Sequence, residues 1–296
     1  MVSLVDEQGA LSAGWRGGEL FRYVYRPGES QLEAPRPYFH PVRTLGGVPV
    51  TAYRPADHVW HKGISWALST VDDENFWGGP TYLRDRGYVQ LDNDGTQRHT
   101  GFDRIDSSGD RIGVTENLDW VTQAGELMFT ERRRFSVRVH PDLGAWQLAY
   151  RSEMTNASGG NVSFGSPTTR GREAAGYGGL FWRGPDSFIG GAVVSPAGSG
   201  GDELMGTRGP WLGFAGDGAT VVFRDHVTNY NHPTQWFVRT GEFAGICPAP
   251  FYDTEHEVAA GEKLSLRYDV LIADGLRAAD ACARLADRAA TSDLLT

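Results

Sequence analysis

The sequence predicts an all-β protein, a single large antiparallel β-sandwich over residues 1–296 with a short C-terminal helix at about 276–290. Three observations predict it. Apolar and polar residues alternate with period two in many short runs, as strands with one face in a core and one in water require. Thirty-nine glycines punctuate those runs, often beside asparagine, aspartate or serine, where tight turns are made. Nine tryptophans, eleven tyrosines and fourteen phenylalanines supply the ring content that pleated, half-buried strands favour. No Pro- or Ser-rich linker divides the chain, and no internal repeat is visible, so the strands are assigned to one sandwich.

In chain order, Phe21–Tyr25 and Val48–Tyr53 are the first strand candidates, followed by Ile64–Val71, Tyr88–Asp92, Gly101–Asp106 and Arg111–Asp119. A longer strand holds Phe129, Phe135, Val137 and Val139 in register, with Arg132, Arg134 and Arg138 opposite. Trp146, Leu148 and Tyr150 share one side of the next. Val162–Ser166, Phe188–Val194, Ala219–Arg224 and Gln235–Arg239 are shorter candidates. The clearest comes last: Leu264, Leu266, Tyr268, Val270 and Ile272 face one way, while Ser265, Arg267 and Asp269 face the other. Asn93-Asp94-Gly95, Ser107-Ser108-Gly109-Asp110, Ala157-Ser158-Gly159-Gly160, Gly216-Asp217-Gly218 and Ala260-Gly261-Glu262 supply turns. The glycine-rich run Ser195–Pro210 is expected to be a long loop. Only the tail carries a helical stripe, through Leu276, Ala279, Cys282, Ala283 and Ala286.

Composition excludes some partners. A net charge of −9 argues against nucleic acid, whose phosphates demand a basic face. No run approaches the ~18 apolar residues of a membrane span. Met1–Leu20 holds Asp6 and Glu7 and no apolar segment, so no leader is expected and the protein is assigned to the cytoplasm. Cys247 and Cys282 form no CxxC pair and are expected to be small, buried, unreactive thiols. The basic residues are almost all arginine, Lys62 and Lys263 being the two lysines, a bias that fits a GC-rich bacterial genome. The oligomeric state is left open.

Three polar clusters stand out. In Asp57-His58-Val59-Trp60-His61-Lys62-Gly63, two imidazoles three apart suit proton transfer or metal ligation. On a strand they would point to opposite faces, so joint action needs a turn, which Arg54-Pro55-Ala56-Asp57 can make; the plainer reading is two histidines satisfied in a tight corner. The second cluster, Asp225–Pro233, leads into Gln235–Arg239. Asn229, Asn231, His232 and Arg239 offer donors and acceptors for vicinal hydroxyls, and Trp236 a ring for a sugar face; an ordinary turn explains the same residues. The third, Arg170–Arg183, holds Glu173 among small residues, where a buried and perturbed carboxylate is expected unless an arginine simply pairs with it. The acidic run Val71–Gly79 suits a pocket rim or a solvated loop. No GxSxG elbow and no phosphate-binding GK[ST] loop occurs.

Taken in order, Arg36-Pro37-Tyr38-Phe39-His40-Pro41, Arg54–Gly63, Phe76-Trp77-Gly78-Gly79, Asn229–Arg239, Ala260-Gly261-Glu262 and Leu266-Arg267-Tyr268 resemble the family labelled "methane oxygenase PmoA-like" over roughly 35–275. Lys62 stands where members of that family often carry a second histidine or other polar residue. The resemblance implies a domain of unknown function, often found near sugar oxidoreductases, with a layout similar to the galactose-mutarotase-like supersandwich. In such sandwiches a concave sheet holds the sugar while a histidine and a carboxylate move protons. The expected function is therefore a carbohydrate-active enzyme, with His58, His61 and Glu173 as proton carriers. Arg183, Asn229, Asn231, His232, Trp236 and Arg239 would hold a small-molecule sugar, glycoside or keto-sugar for isomerisation, β-elimination or hydrolysis. A non-catalytic sugar-binding module is the first alternative. The second is a metal-dependent redox enzyme, with a divalent ion on His58, His61 and His232; no cofactor is otherwise expected.

Overall fold

Two large antiparallel sheets face one another in the computed structural model of the chain, which describes residues 1–292, 294 and 295. The first has eight strands. From edge to edge they are Val2–Asp6, Ala10–Trp15, Gly18–Val24, Tyr38–Val42, Ile64–Ala67, Gly179–Arg183, Gly245–Ala249 and Gln235–Arg239. The second has nine: Gly198–Gly200, Ala192–Ser195, Trp211–Gly216, Ala219–Asp225, Lys263–Asp274, Ala145–Asn156, Leu127–His140, Arg111–Val121 and Thr96–Ser108. The longer strands send alternate side chains into the space between the sheets, and rings fill it. Phe21 of the first sheet packs on Phe135 and Trp146 of the second at 6.4 and 5.7 Å between centroids, and Trp182 meets Phe214 at 5.1 Å. One apolar cluster runs through both sheets.

The fold is the all-β antiparallel sandwich with a C-terminal helix that the alternation predicts. The helix spans Ala279–Thr291, starting later than Leu276 because Gly275 adopts φ +78° and the residues after it run extended. Cys282, Leu285, Ala286 and Ala289 pack against Val222, Leu271 and Ala273, covering one end of the nine-stranded sheet's outer face. No helix of the described residues is long and apolar enough to cross a membrane. Cys247 and Cys282 are free and buried, and burial pushes their thiols up to about 12 and about 11.

Several boundaries differ from expectation. Val48–Tyr53 makes only isolated bridges, since Pro49 lacks an N–H and the Thr44–Val48 turn consumes the neighbouring groups. Ile64–Val71 breaks in two at Leu68-Ser69, and Tyr88–Asp92 shortens to Gly87–Val89. Part of Phe188–Val194 is a 3-10 turn, with the strand confined to Ala192–Ser195. Ser195–Pro210 is no open loop: it holds the edge strand Gly198–Gly200 and a 3-10 turn at Asp202–Leu204. Gly179–Arg183 and Gly245–Ala249 carry no alternation because every residue in both is buried.

Candidate active site

The outer face of the eight-stranded sheet carries the site. On Gln235–Arg239, Trp236 and Val238 point into the sandwich core, while Phe237 and Arg239 point outward. On Gly179–Arg183, Leu180 and Trp182 face the core, leaving Phe181 and Arg183 outward. Ala67, Phe181, Phe237 and Cys247 thus form a second apolar patch, which Trp77 and Phe243 cover from adjoining loops.

The corner 54–63 lies over this patch. Arg54 takes φ +47°, and the His61 N–H donates to the His58 carbonyl at 2.9 Å. That turn brings two side chains that a strand would separate onto one side: the imidazoles stack with centroids 4.5 Å apart and planes at 7°. Gly63 closes the corner at φ +49°, where a Cβ would lie 2.0 Å from the Phe39 carbonyl oxygen. Arg183 clamps the corner from beneath. Its two terminal nitrogens each donate to an Asp57 carboxylate oxygen at 3.0 Å, and Nη1 also donates to His61 Nδ1 at 2.9 Å.

These contacts assign different roles to the two rings. Arginine can only donate, so His61 Nδ1 accepts and the ring proton sits on Nε2. Burial, and then the charges of His58, Arg183 and Arg36, hold His61 well below the usual histidine range, so it stays neutral. The Asp57 carboxyl is partly buried, which disfavours its charge, yet hydrogen bonds from Arg183 and His58 outweigh this and lower it to about 2. An ionised carboxylate can only accept, so His58 Nδ1, 2.8 Å away, donates to it. With Nδ1 engaged on Asp57, Nε2 is the His58 nitrogen that can accept in the neutral form of the ring, whereas His61 offers an N–H at Nε2.

Both rings line a cavity of about 290 Å³. Trp77 contacts His61 at 5.7 Å on one side and Tyr177 at 4.7 Å on the other. Trp60, Phe237 and Phe243 complete the aromatic walls, and Tyr88, Arg172, Arg239 and Glu242 bring polar groups. Gly79 makes room for Trp60, since a Cβ there would lie 2.6 Å from the indole. Arg36 ties the wall loops together, donating to the carbonyls of Glu33, Ala34, Trp60 and Trp77 and to the Ser65 hydroxyl. Lys62 points away from the cavity into a buried pocket, with Nζ 3.4 Å from Glu29 and 3.8 Å from Glu33.

Of the residues selected from the sequence, His58, His61 and Arg239 line this cavity and Arg183 supports it from below. Glu173 does not belong to it. The bend 171–174 turns outward, held by bonds from the Gly171 and Arg172 N–H groups to the Thr168 and Pro167 carbonyls, and leaves Glu173 exposed. Trp236 offers no face to a ligand: the strand's alternation puts it in the core, with Nε1 donating to Gly209. Asn229 fastens its corner to the strand Lys263–Asp274, accepting from the Arg267 N–H at 2.7 Å. Asn231 bonds Arg208 and the Pro250 carbonyl, and His232 pairs with Asp225 at 2.7 Å. His58, His61 and His232 therefore do not form one ligand set, and among the described residues no group of three His, Cys, Asp or Glu is arranged to hold a metal ion. Glu242 and Phe243, on the turn after Arg239, were not foreseen; the glycine at 241, next to a strand with candidate residues, is the available signal. Trp77 lies in the run that suited a pocket rim.

A family profile described as Family of unknown function (DUF6807) matches residues 10–287. It carries the expected absence of an assigned function, but not the PmoA-like label. No curated protein matches the chain. Among solved structures, the chain is similar to an alpha-galactosidase from Lactobacillus brevis (9% identity, TM-score 0.43, 93% of this chain and 40% of that one). It is similar also to a heparan sulfate lyase from Pedobacter heparinus (11%, 0.44, 94% and 37%). A protein from Synechocystis gives 10% identity and a TM-score of 0.42 over 93% of this chain and 96% of that one. The chain thus spans about two fifths of the length of the first two.

Proposed function

Since the chain belongs to this family of unknown function, its activity must be read from the cavity, and we propose a carbohydrate-active enzyme that moves a proton on a keto-sugar or related glycoside. The observation that carries the reading is the opposed polarity of the stacked imidazoles, an acceptor at His58 Nε2 beside a donor at His61 Nε2. In this reading His58 removes the proton from a carbon next to a carbonyl. The His61 N–H holds the oxygen on which negative charge develops, and Asp57 keeps the His58 ring in its working tautomer. Where that carbon bears a hydroxyl, return of the proton to the former carbonyl carbon, with the hydroxyl proton passing to the oxygen held by His61, isomerises the sugar. Loss of a β-oxygen substituent instead gives elimination. Trp60, Trp77, Tyr177 and Phe237 offer faces for the C–H surface of a sugar ring. Two-carboxylate hydrolysis finds less support, because Glu242 is the one carboxylate among the lining residues.

The test follows keto-glycosides by proton NMR in deuterated buffer. Solvent deuterium is expected to enter at the carbon next to the carbonyl. His58→Ala is expected to lower that rate by about a hundredfold or more, while Glu173→Gln leaves it unchanged. Exchange at full rate in His58→Ala would remove the assignment. The aromatic walls alone also suit a sugar-binding module, and saturable binding without exchange or product would select it.

A further inference from the structure

The cavity's charge runs against that of the molecule. The chain is −9 overall, yet two arginines, Arg172 and Arg239, line the cavity against one glutamate, Glu242. Neither arginine forms an ion pair with a carboxylate of the described residues. Arg172 donates to the Tyr88 hydroxyl and lies over that ring, its guanidinium carbon 4.7 Å from the centroid. Arg239 donates to the carbonyls of Val238 and Ala174 at 3.1 and 3.0 Å and lies over Phe237 at 5.0 Å. Their partners are thus neutral, and each planar guanidinium keeps N–H donors in reserve. The two are braced on one wall: the Tyr88 hydroxyl bonds that of Tyr177 at 2.9 Å, and Tyr177 packs on Phe237 at 5.5 Å. Trp77 stands between this wall and His61.

We propose that the ligand is an acidic sugar, a uronate or other sugar carboxylate, with its carboxylate held by Arg172 and Arg239 and its reacting carbon at the histidine pair. The inference rests on reading the cavity as a carbohydrate site. A guanidinium fork matches a planar carboxylate with two parallel bonds, a geometry that lysine cannot copy. Stacking on Tyr88 and Phe237 restricts both forks before a ligand arrives.

Calorimetric titration of the full chain at low salt with methyl glucuronide, methyl glucoside and glucose 6-phosphate tests the proposal. The glucuronide is expected to bind about tenfold or more tighter than the glucoside, with an advantage that shrinks as salt is added. Arg172→Gln and Arg239→Gln should each bring the glucuronide toward the affinity of the glucoside. If Arg239→Gln does not fold, having lost its bond to Ala174, Arg172→Gln suffices, since that side chain bonds tyrosine hydroxyls. Equal binding of the acid and the glucoside would overturn the inference and leave the carbohydrate reading standing. Tighter binding of the phosphate than of the glucuronide would overturn the carboxylate assignment. No binding of any of the three would overturn both the inference and the reading beneath it.

Discussion

Lys62 occupies a fully buried position beside His61, facing Glu29 and Glu33. Burial, and then the Arg36 charge, lower its ammonium from 10.5 to about 8, although both glutamates oppose the shift. Between about 8 and 10.5 the unfolded chain therefore holds a proton that the folded chain has released. Stability contributed at this site rises with pH through that window, by at most about 1.4 kcal/mol per unit, and is constant below it. Denaturant titrations at pH 7.5 and 9.5 should show this rise in the native protein (roughly one proton's worth), and Lys62→Met should flatten it. An equal slope in the variant would place the effect elsewhere. Such settings are only half legible in sequence. The two histidines three apart marked the corner, but their separate roles depend on Arg183, which lies 122 positions from His61. Glu173 looked buried because small residues surround it in sequence, yet those residues serve a bend that turns it outward.

The strands divide by how many of their faces are wet. Leu127–His140 and Lys263–Asp274 alternate because part of one side meets solvent, and their pattern is readable directly. Gly179–Arg183 and Gly245–Ala249 have the core on one side and the cavity floor on the other, so apolar and small residues fill both and the period vanishes. The elements that carry the site are thus those that periodicity hides. Glycines give a sharper handle on them. Gly63→Ala is expected to destabilise the protein by about 2 kcal/mol or more, because a Cβ at φ +49° meets the Phe39 carbonyl, part of a paired strand. Gly101→Ala, in the strand Thr96–Ser108 with open space around its Cβ, should be neutral or stabilising by up to about 1 kcal/mol. Midpoints of urea unfolding measure both. A loss at Gly63 no larger than the change at Gly101 would contradict the close packing at the corner.

At the scale of the whole molecule, one apolar cluster joins the two sheets, from Leu11 and Phe21 through Trp146 to Ile272. The sheets should therefore unfold together, with tryptophan fluorescence and far-UV circular dichroism giving one coincident denaturant transition. Two resolved transitions would mean that the sheets are separate cooperative units. The absence of a linker in the sequence pointed the same way, whereas convergence of distant segments on one cavity was not readable from spacing. The guanidinium of Arg36 bears on the working life of that cavity. By holding the backbones that carry Trp60 and Trp77 at a common point, it sets the mould when the chain folds rather than when a guest arrives. For a sugar that enters this cavity, stopped-flow binding is then expected to show an observed rate that rises linearly with sugar concentration, and a plateau would reveal a reshaping step that Arg36 does not prevent.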